Sequence, residues 1–212
     1  PAPYDAVLVG TGRFLRSVLL PVLISRPSNR VLLLQPRGDT FARRLQPAHA
    51  DGEVSACLEV DTVAGDGTVH TETLRFEGGV GSLGTAAGRA ACHADLLRRG
   101  VSTSAACLVG CGVTERGVAD GSAAGPMGAL CEVLWCCWAT GCGAASVVNT
   151  DNVPDNGTTI RGQVGELAGA VHDALAEKYG PPERRGATFE AWLGSSVTFH
   201  NSMVDRIVGR RP

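Results

Sequence analysis

Tyr4-Asp5-Ala6-Val7-Leu8-Val9-Gly10-Thr11-Gly12-Arg13-Phe14 is the stretch that decides the fold. Its first half, Tyr4 to Val9, is a short apolar run, the pattern of a strand buried on both faces of a parallel sheet. It runs into Gly10-Thr11-Gly12. From Arg13 to Ser25, apolar Phe14, Val18, Leu19, Val22 and Leu23 recur at helical spacing, and Pro21 is expected to kink or break that helix. Val31-Leu32-Leu33-Leu34 is then a second buried strand. Strand, glycine turn, helix and strand within about 30 residues open a mononucleotide-binding unit. Glycines let the backbone approach a pyrophosphate, and the helix N-terminus supplies unpaired N–H groups. Leu15 stands where a third glycine would complete G-x-G-x-x-G, so the turn alone reads either as a phosphate cradle or as a plain tight turn. The context of strand and helix favours the cradle. The expected fold is α/β: a Rossmann-type doubly wound sheet with helices on both faces.

At 212 residues and 44% hydrophobic, the chain suits one α/β domain of ordinary size, or one domain and a fragment of another. A formal net charge of −2, with no Lys/Arg cluster beyond pairs such as Arg43-Arg44 and Arg98-Arg99, argues against nucleic acid as partner. No apolar run approaches the ~20 residues that span a bilayer, so no membrane partner is expected. The eight cysteines include no C-x-x-C pair. They read as buried free thiols of a cytoplasmic protein rather than as metal ligands, and no metal is expected.

At the end of the second strand, where NAD-binding units carry an acidic residue, the chain has Gln35-Pro36-Arg37. Gln35 is a candidate for the ribose. Arg37, Arg43 or Arg44 either meets a 2′-phosphate or is a solvated charge, so NAD and NADP both stay open. Ala56 to Val60 and Val69 to Phe76 read as a hairpin with one wet face, and Gly78 to Gly88 as a mobile loop or helix entry. Ala90 to Arg99 is a helix stopped by Gly100, and Ala105 to Val113 a buried strand. That strand delivers Thr114-Glu115-Arg116-Gly117 to the carboxyl end of the sheet, as a ligand-facing segment or a surface turn. Met127 to Thr140 is a core helix. Ala145 to Asn149 is a strand ending in Thr150-Asp151-Asn152-Val153-Pro154-Asp155-Asn156-Gly157. Gly162 to Tyr179 is an amphipathic helix, Phe189 to Leu193 a short helix or turn, and Ser196 to Phe199 a strand. It leads into Asn201-Ser202-Met203-Val204-Asp205-Arg206-Ile207, where polar heads alternate with apolar anchors. Taken alone, this heptapeptide is either a cleft wall or an Asp-Arg pair tying down a terminal segment.

Four segments in order, V-G-T-G-R-F-L-R (9–16), V-T-E-R-G-V (113–118), S-V-V-N-T-D-N-V-P-D-N-G (146–157) and F-H-N-S-M-V-D-R-I-V (199–208), resemble the mannitol dehydrogenase family of polyol-specific long-chain dehydrogenases. The last two motifs are fairly specific. The resemblance implies NAD or NADP as cofactor and a sugar or polyol as substrate: mannitol and fructose, or mannitol-1-phosphate and fructose-6-phosphate. The uronate reductases of the same family and a non-catalytic nucleotide-binding module are the alternatives. It implies that Gly10, Gly12, Arg13 and Phe14 line the dinucleotide, with Gln35, Arg37, Thr114 and Glu115 beside it. It implies catalytic roles for Asn152, as an oxyanion donor, and for Asp205, at the substrate cleft, with Asn201 and Arg206 binding or positioning there. Residues 1–200 are then the dinucleotide-binding domain, and 201–212 begin the connection to a C-terminal helical catalytic domain outside this chain. Arg116 and Val118 replace the family's lysine and tyrosine, and residues 50–110 match poorly. The family's general base is a lysine in K-x5-N-x-x-H; the single lysine here, Lys178, is followed by Tyr179-Gly180-Pro181.

Overall fold

The computed structural model describes residues 2–12, 14–26, 28–45, 55–102, 106–151, 153–182 and 186–202. Strands β1 (Ala6–Val9), β2 (Arg30–Gln35), β3 (Ser55–Val63), β4 (Val69–Ser82), β5 (Cys107–Cys111), β6 (Ala145–Asn149) and β7 (Val197–His200) form one sheet in the order β3-β4-β2-β1-β5-β6-β7. All neighbours are parallel except the β3–β4 hairpin at one edge. The central strands are apolar on both faces because helices cover both. On one face α1 (Leu20–Ile24) and α2 (Thr40–Leu45) pack against Ala6, Leu8, Val31 and Leu33. On the other, α3 (Ala86–Arg99), α5 (Pro126–Ala139), α6 (Asn156–Tyr179) and α7 (Phe189–Ser196) pack against Val7, Val9, Leu32, Val109 and Val147. Short α4 (Glu115–Ala119) follows β5. This is the doubly wound α/β architecture expected of the opening motif.

Pro21 acts upstream of itself. The turn before it, Leu15–Leu19, is a π-helix in which the Leu20 N–H reaches back to the Leu15 carbonyl. Proline has no N–H and crowds the preceding turn, so the helix widens there and continues as α1 only to Ile24.

Gly78 to Ser82 departs from the loop expected over this glycine-rich stretch. It is the second half of β4, paired with β2 from Glu77 to Ser82. The glycines are needed because the chain passes close to its neighbours. A Cβ on Gly78 would sit 2.0 Å from the Val31 carbonyl oxygen, and one on Gly81 would sit 2.4 Å from the Cys92 sulfur. The helix entry expected in the same stretch is present. Thr85 caps α3 by accepting from the Gly88 N–H at 3.1 Å.

Every residue of α5 from Pro126 to Trp138 is buried, as a core helix requires. Its one charge, Glu132, is matched by Arg89 at 2.7 Å and by His93 at 3.1 Å, both from α3, and the Tyr179 hydroxyl lies 3.3 Å from His93 Nδ1. Seven cysteines are buried outside any disulfide, and Cys57 on the edge strand β3 is exposed. Burial pushes the Cys92 thiol up to about 11 and those of Cys111 and Cys131 up to about 12, the behaviour of packing residues rather than nucleophiles. No helix among the described residues is long and apolar enough to cross a membrane.

Candidate functional site

The strand order reverses between β1 and β5: β2 and β4 lie on one side of β1, β6 and β7 on the other. At such a switch point the connections leave in opposite directions and a crevice opens at the carboxyl ends of the strands. Two glycines face each other there. Gly10 donates to the Leu34 carbonyl at 2.8 Å and Gly112 to the Val9 carbonyl at 2.9 Å, each continuing the sheet by one residue. Gly10 has φ +135°, and a Cβ on it would lie 2.8 Å from the Gly112 oxygen. Gly12 differs. The nearest atom to a Cβ there, the Gly112 oxygen, is 3.8 Å away, so packing does not demand a glycine. Leu15, in the place of a third glycine, is fully buried, and Gly112 makes its room: a Cβ on Gly112 would lie 3.0 Å from the Leu15 side chain. The gap that a third glycine usually provides on the helix is here just after β5. That substitution joins residues about a hundred positions apart in the chain, which is why the local motif does not reveal it.

The β2 end is a fixed corner. Gln35 Oε1 accepts from the Phe41 and Ala42 N–H groups, both at 3.0 Å, and its Nε2 donates to the Arg37 carbonyl at 2.7 Å. The Gln35 amide therefore shapes the loop into α2. Ser82 Oγ donates to the Gly38 carbonyl at 2.6 Å and accepts from Gly84 N–H at 3.1 Å, joining this loop to the one after β4. The Arg37 guanidinium is exposed and meets Asp120, beyond α4, at 2.9 Å. Hydrogen bonds from Ser122, and then Arg37, hold the Asp120 carboxyl below the usual carboxylate range. Arg16 lies over the Phe41 ring, 4.7 Å from its centroid. Thr114 and Glu115 are exposed at the start of α4, directly after β5, and Phe14 is half-buried beside the glycine turn.

At the other side of the crevice the D-N-x-x-x-N-G segment and the terminal motif are tied together. Asn156, fully buried at the start of α6, donates to the carbonyls of Ser202 at 2.7 Å and Asp151 at 3.0 Å, and accepts from the Ser202 N–H at 3.0 Å. Asn201 Oδ1 accepts from the Thr158 N–H at 3.0 Å, capping α6 from outside the helix. A Cβ on Gly157 would lie 2.5 Å from the His200 carbonyl, so Asn-Gly is here a packing requirement as well as a helix start. Ser202 Oγ donates to the Asn149 carbonyl. The Asn149 side chain, at 1% exposure, has neither its oxygen nor its nitrogen satisfied among the described residues. Among the expected site residues, the structure brings Gly10, Gly12, Phe14, Gln35, Arg37, Thr114, Glu115 and Asn201 to the carboxyl end of the sheet. Arg13, Asn152, Asp205 and Arg206 lie outside the described residues. Asn156, Ser202 and Gly112 gain structural roles at the site that local motif reading does not assign.

Asn156→Ala leaves two carbonyls and one N–H of this junction without their partner. It is expected to cost about 2–3 kcal/mol in urea denaturation. A loss below about 0.5 kcal/mol, the range of an ordinary surface change, would show that the junction does not depend on this carboxamide.

A cavity of about 420 Å³, lined by Arg99, Trp135, Thr140, Tyr179 and Pro181 among others, lies at the amino ends of the strands, away from the crevice. The candidate site, at the opposite end of the sheet, is built from backbone and loop ends.

No protein-family model matches the chain, and no curated protein sequence matches it. Solved structures share its fold, two polyol dehydrogenases among them. A substrate-free D-sorbitol dehydrogenase superposes with a TM-score of 0.62 at 17% identity, over 96% of this chain and 43% of that one. A Pseudomonas fluorescens mannitol 2-dehydrogenase in ternary complex with NAD and D-mannitol superposes with a TM-score of 0.63 at 19% identity, over 97% of this chain and 42% of that one. The chain spans less than half the length of either neighbour.

Proposed function

We propose that this chain is the cofactor-binding part of an NAD(P)-dependent oxidoreductase that moves hydride between a nicotinamide dinucleotide and a polyol or its ketose. The observation that carries the reading is the open face of Gly12 at the switch point: a glycine that no atom among the described residues requires, set where a pyrophosphate would approach the turn. The fold shared with a sorbitol dehydrogenase and an NAD-bound mannitol 2-dehydrogenase supports the polyol class. The mannitol and fructose pair, or its phosphorylated counterpart, is the finer reading, and it rests on the motif resemblance.

The bound nicotinamide would supply the hydride, and the chain supplies orientation and charge. Gly10, Gly12 and the start of the Leu15 turn would hold the pyrophosphate by backbone approach. Thr114 and Glu115 would flank it after β5. Asn152 is assigned to stabilise the oxyanion that develops on the substrate, and Asp205 to the substrate cleft. Their described chain neighbours, Asp151 and Ser202, are held together by Asn156 at the ends of β6 and β7.

The proton is assigned to a lysine outside these 212 residues, in a C-terminal domain following the connection that starts at residue 201. Lys178 does not suit the role. It lies at the far end of the 24-residue α6, its Nζ 5.1 Å from the Tyr179 ring centroid. At 1.5 Å per residue that places it roughly 30 Å from the α6 start.

Titration of the chain with NADH and with NADPH, followed by nicotinamide fluorescence, tests the reading. Binding of at least one is expected, and no binding of either at roughly 1 mM, where even −4 kcal/mol would register, sinks it. The chain alone is expected to turn over no fructose; turnover would show the lysine assignment to be wrong.

A further inference from the structure

We infer that the β2 corner selects the 2′-phosphorylated dinucleotide, NADP(H), over NAD(H); this rests on the dinucleotide reading above. Selection of NAD needs a carboxylate at the end of β2 that accepts from both ribose hydroxyls. The residue in that position is Gln35, and both lone pairs of its Oε1 are used by the Phe41 and Ala42 N–H groups. It has no acceptor left for a diol. Pro36 follows, without an N–H to offer. Among the described residues no carboxylate stands at the strand end itself; the acids of this corner face arginines, Asp39 with Arg43 at 2.5 Å and Asp120 with Arg37 at 2.9 Å.

Two guanidiniums stand at the same corner. Arg37 follows Gln35 by two residues, with its side chain 60% exposed. Arg16 crosses the ring of Phe41, whose own N–H is bound by Gln35. The Gln35 amide holds the Arg37 carbonyl as well, so the corner is organised before any ligand arrives. An exposed ion pair is weakly held. Arg37 can therefore exchange Asp120 for a phosphate dianion, which matches the guanidinium fork better than a single carboxylate oxygen does. Arg16 adds positive potential on the other side.

The test is paired titration of the chain with NADPH and NADH. NADPH is expected to bind about tenfold tighter or more, the scale of one charge-assisted contact. In Arg37→Ala, NADPH affinity is expected to fall about tenfold while NADH stays within about twofold, and Arg37→Lys should restore part of the preference. Arg26→Ala, which removes an exposed arginine elsewhere, should leave both unchanged. NADH binding as tightly as NADPH overturns the inference and leaves the dinucleotide reading standing. A preference that survives Arg37→Ala, or an equal loss of both ligands in that variant, also overturns it. Failure of both ligands to bind the parent chain overturns the dinucleotide reading, and the inference with it.

Discussion

Gly78→Ala is expected to destabilise the chain by about 4 kcal/mol or more, beyond the range of ordinary substitutions. Two effects act together. The residue sits at φ +132°, where an L side chain is strained, and the new Cβ would lie 2.0 Å from the Val31 oxygen and 2.7 Å from its carbonyl carbon. Those are backbone atoms of β2, which is held in register on both sides by β1 and β4 and cannot move aside cheaply. For a chain of this length the loss corresponds to a fall in melting temperature of roughly 8–16 °C. Gly165→Ala is the matched control. Nothing lies within 4 Å of a Cβ there, and the residue is within α6, so Ala should stabilise by about 0.5–1 kcal/mol. Thermal or urea denaturation of the two variants separates the causes. A Gly78→Ala protein melting within about 2 °C of the parent, less than 1 kcal/mol, would show that β4 does not cross β2 as closely as described.

Gly78 also shows where reading the sequence stops. The opening unit was legible because its signals are local: a short apolar run, a glycine turn and a helical repeat all lie within one window. The core helix over Pro126–Ala139 was legible for the same reason. A run of glycines, by contrast, signals a loop by composition, yet here it answers a strand contributed from nearly fifty residues earlier. The start of α6 was read late because its first turn carries no apolar stripe. It is held by Asn201, 43 positions beyond the Thr158 it caps. The site divides along the same line. Gly10 and Gly12 announce themselves by their spacing, and Arg37 lies exposed at the end of β2, paired with Asp120. Gln35 and Asn201 stand where sequence position points to a ligand, yet their amides turn to the backbone of α2 and α6. A carboxamide has both donors and an acceptor, so residue type alone does not say which partner wins.

Gly12→Val is expected to separate binding from folding. In the Gly10 position a side chain meets protein, so its effect would confound the two. Gly12 is exposed, and the nearest atom to its added Cβ is 3.8 Å away, an ordinary contact distance. The free chain can accommodate valine with a melting temperature within a few degrees of the parent, the scale of about 1 kcal/mol. The ligand cannot. A pyrophosphate bound to the turn must approach the backbone where the branched side chain now projects. Affinity for the preferred dinucleotide is expected to drop on the order of 100-fold, equivalent to roughly 2.7 kcal/mol. Nicotinamide fluorescence and thermal melting on the same preparation give both numbers. A stable Gly12→Val chain with undiminished affinity would place the ligand elsewhere, because the glycine of this turn that packing does not demand would then have no ligand to explain it.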